Sequence, residues 1–207
     1  MTSDFLSAEK RYNVEEFLRF LEIEAQKPGN ENTRYELIDG VIYMMAYPSV
    51  THYNVCKFIE KAFEGYFSSK GCTVINGSVA LFLFDEKSFA MFDQSEGKDY
   101  VGPDLMVICD KDTRIKNDGI HGAPEIIVEV ISKSNARHDY IRKLNTYFAF
   151  GVKEYWIVDP IKKRIRIYDM LKDDPMEYNY TFDHVVRSEL FADLYIDFRQ
   201  FTGFVED

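Results

Sequence analysis

The segment GAPEIIVEVISKS, residues 122–134, contains the strongest fold signal in the chain. Its β-branched apolar run, residues 125–131, predicts a central strand of a buried sheet. Side chains alternate along a strand, so Glu129 shares a face with Ile127 and Ile131. An unpaired buried carboxylate costs several kcal/mol, so the fold must supply a cation, a metal or a protonation shift at Glu129. The alternative is a glutamate at a strand end that pairs with a surface lysine.

A second carboxylate lies at the mouth of another short strand. Asp104 follows Pro103 and precedes the apolar run of residues 105–109. Pro-Asp is also a common turn dipeptide, so Asp104 alone is a weak signal. Two carboxylates on adjacent strands are a stronger one, because hard divalent cations take oxygen ligands from a few carboxylates and keep several waters.

The helix predicted over residues 135–150 carries a candidate cation. Asp139, Lys143 and Tyr147 are spaced i, i+4, i+8 and therefore share one face. One interpretation is an exposed Asp-Lys pair, worth a few tenths of a kcal/mol. The other turns this face toward the carboxylates, where Lys143 would neutralise charge and polarise a phosphate or a water.

Two further polar residues stand in apolar surroundings. Glu36 shares a strand face with Ile38, so it too is expected to point inward. His52 lies near the start of a helix predicted over residues 50–69, where a lone histidine is more often a cap or packing residue than a catalyst. The remaining histidines show no metal-ligand spacing: His121, His138 and His184.

Composition excludes several classes of protein. The chain has 207 residues, of which 46% are apolar and 29% charged, so it is neither disordered nor fibrous. No stretch reaches the roughly 18 apolar residues of a membrane helix, and residues 1–10 lack the apolar core of a signal peptide. The net charge of −10 argues against a broad basic surface wrapped on nucleic acid. It leaves open an enzyme that uses carboxylates to hold a metal.

The cysteines predict neither a disulfide framework nor a thiolate zinc site. Cys56, Cys72 and Cys109 are odd in number, far apart in the chain and without a CxxC pair. A reducing cytoplasm is therefore the expected compartment.

The remaining patterns fit one α/β (α+β) domain over residues 1–207. Residues 13–27 show helical periodicity, and Asp39-Gly40 is the favoured turn of a hairpin formed by residues 34–45. A second hairpin is expected over residues 154–168. We expect a sandwich around one mixed sheet, with a core at about residues 13–168 and a less regular, β-rich tail over residues 171–207.

Together these residues resemble a known family. Pro103-Asp104 followed by Glu129 resembles the first two parts of the PD-(D/E)XK nuclease motif, which is a weak signal alone. Residues 122–134 are much more specific, because they are similar to a segment of the Uma-two family, whose members are described as putative restriction endonucleases. Residues 139–143, 147 and 151–160 match the next stretch of that family, and residues 35–40 with Thr51-His52 match its opening. No GxGxxG, GxxxxGK[ST], HExxH or GxSxG motif competes.

The resemblance implies a restriction-endonuclease-like fold, a mixed β-sheet flanked by helices, with Asp104 and Glu129 as metal ligands. The superfamily motif has a lysine two residues after the glutamate, where this chain has Ile131. The Uma-two family shares that departure and takes its lysine from the following helix, at the position of Lys143. Glu36 would be the additional acid of the site and a further metal ligand.

The function implied by the resemblance is endonucleolytic hydrolysis of phosphodiester bonds, in DNA first, with Mg²⁺ or alternatively Mn²⁺. Secondary site candidates are His52, Asp139 and Tyr147. A homodimer is compatible with this function because a duplex needs two cuts, and no membrane contact is expected.

Two other classes stay open. One is a catalytically inactive nuclease fold that acts as a binding or regulatory module, which the net charge of −10 keeps in contention. The other is a glycoside hydrolase with paired acids, which would need no metal. Chelation with EDTA separates that second class from a nuclease.

Overall fold

The computed structural model describes residues 10–30, 33–77, 79–83, 99–132 and 137–205, without the side chains of residues 137–139. Its helices are α1 (Val14–Ala25), α2 (Val50–Phe67), the single turn α3 (Lys111–Arg114), α4 (Arg137–Ala149) and a 3-10 helix (Phe198–Gln200). Its strands are β1 (Arg34–Ile38), β2 (Val41–Met45), β3 (Thr73–Asn76), β4 (Leu81–Leu83), β5 (Asp99–Val101), β6 (Leu105–Ile108), β7 (Ile120–His121), β8 (Ile126–Val130), β9 (Glu154–Asp159), β10 (Arg164–Asp169), β11 (Met176–Thr181), β12 (Val185–Arg187) and β13 (Tyr195–Asp197). Within these ranges, no helix combines the length and apolarity needed to cross a membrane.

Local signals in the sequence explain where α1 begins and where the first hairpin turns. Asn13 caps α1: its side chain accepts a hydrogen bond from the Glu16 backbone, and the Glu16 carboxylate accepts one from the Asn13 backbone. Strands β1 and β2 pair antiparallel across Asp39 and Gly40, whose φ angles are 49° and 70°. Positive φ at both central residues matches the twist of a two-residue hairpin.

The predicted central strand lies inside a six-stranded sheet of order β11-β10-β9-β8-β6-β3. Strand β8 pairs parallel with β9 and antiparallel with β6, and every one of its residues is buried. An apolar run that is buried on both faces is typical of such a position. The prediction of a central strand over residues 125–131 is confirmed.

Helices cover both faces of this sheet. Ile126, Val128 and Val130 belong to the core that also contains residues of α2, such as Phe63. Ile127 belongs to the opposite core, together with Tyr147 of α4. Glu129 therefore points toward α4, as alternation along the strand requires. The predicted fold class, a mixed sheet flanked by helices, is confirmed.

The expectation of one mixed sheet was wrong, because the strands within the described residues form two larger sheets and a two-stranded ribbon. A five-stranded sheet has the order β2-β1-β5-β4-β7, and β12 pairs with β13 alone. The β1–β2 hairpin joins β5 through the pair Leu37 and Tyr100, and not the sheet that contains β8. Helix α1 covers this second sheet, with Phe17 and Phe20 packed in the same core as Leu37. Such non-local pairing leaves little trace in local periodicity.

The cysteines correct a second expectation. Strand β3 pairs antiparallel with β6, with Thr73 opposite Ile108. The next position along this ladder brings Cys72 to Cys109, and the two form a disulfide despite their separation of 37 residues. Sequence separation gave no sign of this proximity, because the proximity of Cys72 and Cys109 follows from the register of β3 and β6.

The buried carboxylate of Glu154 connects the C-terminal tail to the six-stranded sheet, and we call Glu154 with its four hydrogen-bond donors the tail latch. Glu154 of β9 is fully buried, and its Oε1 accepts a hydrogen bond of 2.6 Å from the Trp156 indole. Its Oε2 accepts bonds from the Ser188 hydroxyl and from the backbone N–H groups of Glu189 and Leu190, at 3.1, 2.6 and 2.7 Å. One side chain thus satisfies four donors from two parts of the chain.

Glu154→Ala should lower the free energy of unfolding by about 3 kcal/mol, since it leaves the buried indole and two backbone donors without their acceptor. Urea denaturation measures this loss. Asp174→Ala removes an exposed acid from the same tail and should change stability by less than about 0.5 kcal/mol. Equal stability of the two variants would show that the tail latch contributes nothing.

Candidate active site

A lysine with two glutamates forms a buried ion cluster between the two larger sheets. Lys143 Nζ lies 2.9 Å from Glu129 Oε1 and 2.9 Å from Glu36 Oε2. The three residues are 4%, 5% and 3% exposed, respectively. Charges this deeply buried are tolerated only when they are paired and hydrogen-bonded, and here each carboxylate has the ammonium as a partner. The cluster thus compensates the buried glutamate that the sequence singled out.

Helix α4 brings Lys143 and Tyr147 onto Glu129. The Tyr147 hydroxyl donates a 2.8 Å hydrogen bond to the same Oε1 atom that Lys143 contacts. The spacing of one helical turn explains why both side chains reach one atom. The interpretation of Lys143 as an exposed partner of Asp139 was wrong, because Lys143 is buried. Asp139 lies on α4, but its side chain falls outside the described residues.

Glu36 reaches the cluster from the other sheet. It stands on β1, and its Oε1 accepts hydrogen bonds of 3.0 Å from both Lys143 Nζ and the Gly102 backbone. Its Oε2 also contacts Lys143. Glu36 points inward as alternation predicted, and both of its oxygens are occupied by protein groups. Its contacts make Glu36 a partner of Lys143, and its role as a metal ligand stays a prediction.

Asp104 lies beside Glu129 because β6 and β8 are neighbours. Leu105 pairs with Val128, so Asp104 stands one residue further along the ladder, across from Glu129. Its Oδ2 accepts a 2.8 Å hydrogen bond from the Val130 backbone. The two predicted carboxylates thus come from adjacent strands, as expected.

His52 joins this site through Asp104. Its backbone donates to Ser49 Oγ at the start of α2, and its Nε2 lies 3.1 Å from Asp104 Oδ2. Its Nδ1 lies 3.6 Å from Cys56 Sγ. Burial works to lower the pKa of His52, but the hydrogen bond and charge of Asp104 raise it above the usual value. The secondary candidate His52 therefore contacts one member of the carboxylate pair, Asp104.

Burial and charge perturb the ion cluster itself. Burial raises the pKa of Glu129 to about 7 against the opposing effect of Lys143, and Asp104 and Glu36 add to the rise. Burial alone would lower the pKa of Lys143, but Glu129 and Glu36 raise it above its usual range, so the ammonium keeps its charge. Burial also raises the pKa of Tyr147, which stays a hydrogen-bond donor. Strongly perturbed groups of this kind cluster at functional sites.

The donor set fits a hard divalent cation. Among the described residues, the hydrogen bonds of Glu129 go to Oε1 and those of Asp104 go to Oδ2, which leaves Glu129 Oε2 and Asp104 Oδ1 able to take a cation. Both residues line a cavity of about 30 Å³, next to Ser132. When Glu36, Asp104 and Glu129 are all ionised, three carboxylates against the Lys143 ammonium leave two negative charges, which a dication would balance.

Comparison with known proteins identifies the family. A family model described as a putative restriction endonuclease, Uma2, matches residues 14–198. The chain belongs to the Uma2 family. The crystal structure of a putative nuclease belonging to DUF820, from Anabaena variabilis, has a similar fold: the TM-score is 0.67 at 16% sequence identity, over 91% of this chain and 96% of that one. At this identity the likeness establishes the fold alone. No curated protein matches the chain.

The structure shows how a lysine reaches Glu129 although Ile131 stands two residues after that glutamate. Ile131 occupies the position of the motif lysine, just beyond β8. Lys143 instead reaches Glu129 from α4, so a lysine ammonium lies on the glutamate although it comes from another element.

Sequence reasoning missed two participants in this Uma2 site. Gly102 contributes only its backbone N–H to Glu36, and no residue pattern announces that. Cys56 stands four residues after His52 on α2, so the shared helix face was a signal that could have been followed.

Proposed function

We propose that this Uma2 protein is a divalent-metal-dependent endonuclease that hydrolyses phosphodiester bonds of nucleic acid, with DNA as its substrate. The observation that carries the proposal is the contact of Lys143 Nζ with Glu129 Oε1, beside Asp104 on the neighbouring strand. Two carboxylates and a lysine that converge in this way match the elements that the nuclease motif requires.

Asp104 and Glu129 would hold Mg²⁺ or Mn²⁺ through Asp104 Oδ1 and Glu129 Oε2, the two oxygens that accept no hydrogen bond from the described residues. When bound, such an ion lowers the pKa of a water molecule and neutralises charge on the phosphate. The pairing of Asp104 Oδ2 with the Val130 backbone fixes the direction of that carboxylate. Preorganised ligands of this kind avoid a reorganisation cost at the moment of reaction.

In this proposal Lys143 supplies a positive charge beside Glu129, one of the two carboxylates that hold the metal. Glu36 holds the ammonium from the opposite sheet, and Tyr147 holds Glu129 Oε1 from the same helix. The ammonium is thus aimed by two acids and stabilises negative charge that develops on the phosphate oxygens. Glu36 and Tyr147 act as positioning residues in this account.

A cavity of about 650 Å³ beside the carboxylates offers room for the nucleic acid. Its walls include Asp104 and His52 at one side and Arg34, Tyr53 and Lys57 elsewhere. Tyr53 is 56% exposed, and Lys57 Nζ lies 5.7 Å from the centre of its ring. An exposed aromatic ring with adjacent cations suits a stacked base and its phosphate, although the chain as a whole is acidic.

Cutting both strands of a duplex needs two such sites, so a homodimer remains part of the proposal.

The double variant Tyr53→Ala with Lys57→Ala should raise KM for an oligonucleotide about tenfold and leave kcat nearly unchanged. One base stack is worth about 1–3 kcal/mol, and the loss affects binding rather than the reacting atoms. Steady-state cleavage of a labelled oligonucleotide measures both constants. Lys61→Ala removes an exposed cation of α2 that does not line the cavity, and its KM should equal that of the wild type. An equal KM for all three proteins would contradict the assignment of this cavity.

Incubation with covalently closed circular DNA tests the proposed function. We expect nicks or linear product with Mg²⁺ or Mn²⁺ and none with EDTA, and closed circles exclude exonucleases because they have no ends. Parallel incubation with RNA tests the choice of substrate. Hydrolysis that persists in EDTA would contradict metal dependence. Metal binding without cleavage of either nucleic acid would favour the inactive binding module.

A further inference from the structure

A second set of metal-ligating atoms lies on the α2 side of the carboxylate pair. His52, Cys56 and Asp104 each offer one ligand atom, and these atoms all lie within 4.8 Å of one another. His52 and Cys56 come from one face of α2, and Asp104 comes from the mouth of β6. Among the described residues, Glu36 and Glu129 do not complete such a group.

The ligand types differ from those of a magnesium site. A thiolate and an imidazole suit Zn²⁺ and related transition ions, whereas Mg²⁺ takes oxygen ligands and retains waters. Sites with three protein ligands and an open fourth position for water are common for zinc. The group of His52, Cys56 and Asp104 has that number and that mixture of ligands.

The surroundings allow an ion to reach these ligands. All three residues line the cavity of about 650 Å³, which can supply the remaining ligand as water. Glu60 and Glu129 lie close enough to act on Cys56: with burial and Asp104, they raise the pKa of its thiol. The same negative surroundings that disfavour a free thiolate favour a dication.

Cys56 is also not committed to a disulfide. The chain has three cysteines, and the disulfide between Cys72 and Cys109 leaves Cys56 as the free thiol. A thiolate signal from the oxidised protein therefore reports on Cys56 alone.

We propose that His52, Cys56 and Asp104 form a binding site for a transition-metal dication of the Zn²⁺ class, distinct from the Mg²⁺ position and sharing Asp104 with it. On binding, the Cys56 thiol releases its proton to solvent and ligates as thiolate. Because both sites use Asp104, an ion of this class competes with Mg²⁺ for that carboxylate. The ion site does not depend on nuclease activity.

Titration with Co²⁺, a spectroscopic stand-in for Zn²⁺, tests the site in the full chain without reductant. We expect one Co²⁺ per chain, a thiolate-to-cobalt charge-transfer band in the near ultraviolet, and displacement of that band by Zn²⁺ at concentrations far below those at which Mg²⁺ displaces it. Cys56→Ser should lose the band, and Glu64→Gln, an exposed position on α2, should retain it. Absence of the band in the wild type, or its persistence in Cys56→Ser, would overturn the proposal.

Alkylation of the wild type provides a measurement that needs no folded variant. Zn²⁺ should slow modification of Cys56 by iodoacetamide at least about tenfold, whereas Mg²⁺ should not, with the extent of labelling read by mass spectrometry. Equal rates with and without Zn²⁺ would contradict the site. Failure of the nuclease proposal would leave both results unchanged, so the two proposals are tested separately.

Discussion

Replacing Lys143 by methionine is expected to lower the free energy of unfolding by about 3–5 kcal/mol. The substitution keeps the length of the side chain but removes the only cation that contacts Glu36 and Glu129 among the described residues. Both carboxylates would then be buried without a counterion. Urea denaturation followed by circular dichroism measures the loss.

Two controls separate charge from packing in this experiment. Glu36→Gln added to Lys143→Met should restore part of the lost stability, about 1–3 kcal/mol, because one uncompensated charge disappears. The loss in Lys143→Met should also be smaller at about pH 5 than at about pH 8. Burial already raises the pKa of Glu129 in the folded wild type, and removal of Lys143 raises it further, so protonation at low pH favours the folded variant. Wild-type stability of Lys143→Met at both pH values would contradict the buried ion cluster.

Asp104→Asn is expected to reduce the rate of cleavage about a thousandfold, which corresponds to about 4 kcal/mol of transition-state stabilisation. The amide keeps an oxygen that can accept the Val130 hydrogen bond, so stability should change by only about 1 kcal/mol. What the variant loses is the negative charge offered to the dication. Single-turnover kinetics measure the loss of cleavage rate, and calorimetry measures the loss of Mn²⁺ binding.

The pKa of His52 provides an internal control for Asp104→Asn. The pKa of His52 should fall, because Asp104 is the main group that raises it against burial. Proton NMR of the imidazole follows that shift in the folded variant. A folded Asp104→Asn protein that binds Mn²⁺ and cleaves like the wild type would remove Asp104 from the metal site.

Local periodicity and turn chemistry predicted most of the elements. The buried run of β8, the helix predicted from residue 13 and the Asp39-Gly40 turn depend on neighbours in the chain, and each matches the structure. The assembly of strands into two larger sheets was not predicted, because it depends on the pairing of β1 with β5. That ladder joins Leu37 to Tyr100, which no local pattern connects.

The same distinction applies to the candidate site. The approach of Glu129 and Lys143 was predictable, since a buried charge requires a partner and the family resemblance pointed to α4. The presence of Glu36 at the site was implied only by the family resemblance and by the predicted inward direction of its side chain. The Cys72–Cys109 disulfide escaped prediction because sequence separation says little about distance across an antiparallel ladder. Cys56 was missed although it shares a face of α2 with His52.

The tail latch shows a further limit of sequence reasoning. Glu154 stands in a segment that resembles the family, yet nothing local predicts that its carboxylate binds a loop 35 residues away. Buried acids can therefore be structural as well as catalytic. Glu154 has four protein donors, whereas Glu129 keeps one oxygen without a partner among the described residues. This difference supports assigning the metal to Glu129 and a structural role to Glu154.

Cleavage of closed circular DNA by the wild type and by Glu129→Gln, purified identically, tests the central claim most directly. Glu64→Gln is the matched control, since it makes the same chemical change at an exposed position of α2. We predict EDTA-sensitive cleavage by the wild type and Glu64→Gln, and a loss of about a thousandfold or more in Glu129→Gln. Equal cleavage by all three proteins, or cleavage that EDTA does not stop, would contradict a metal-dependent nuclease site at Glu129.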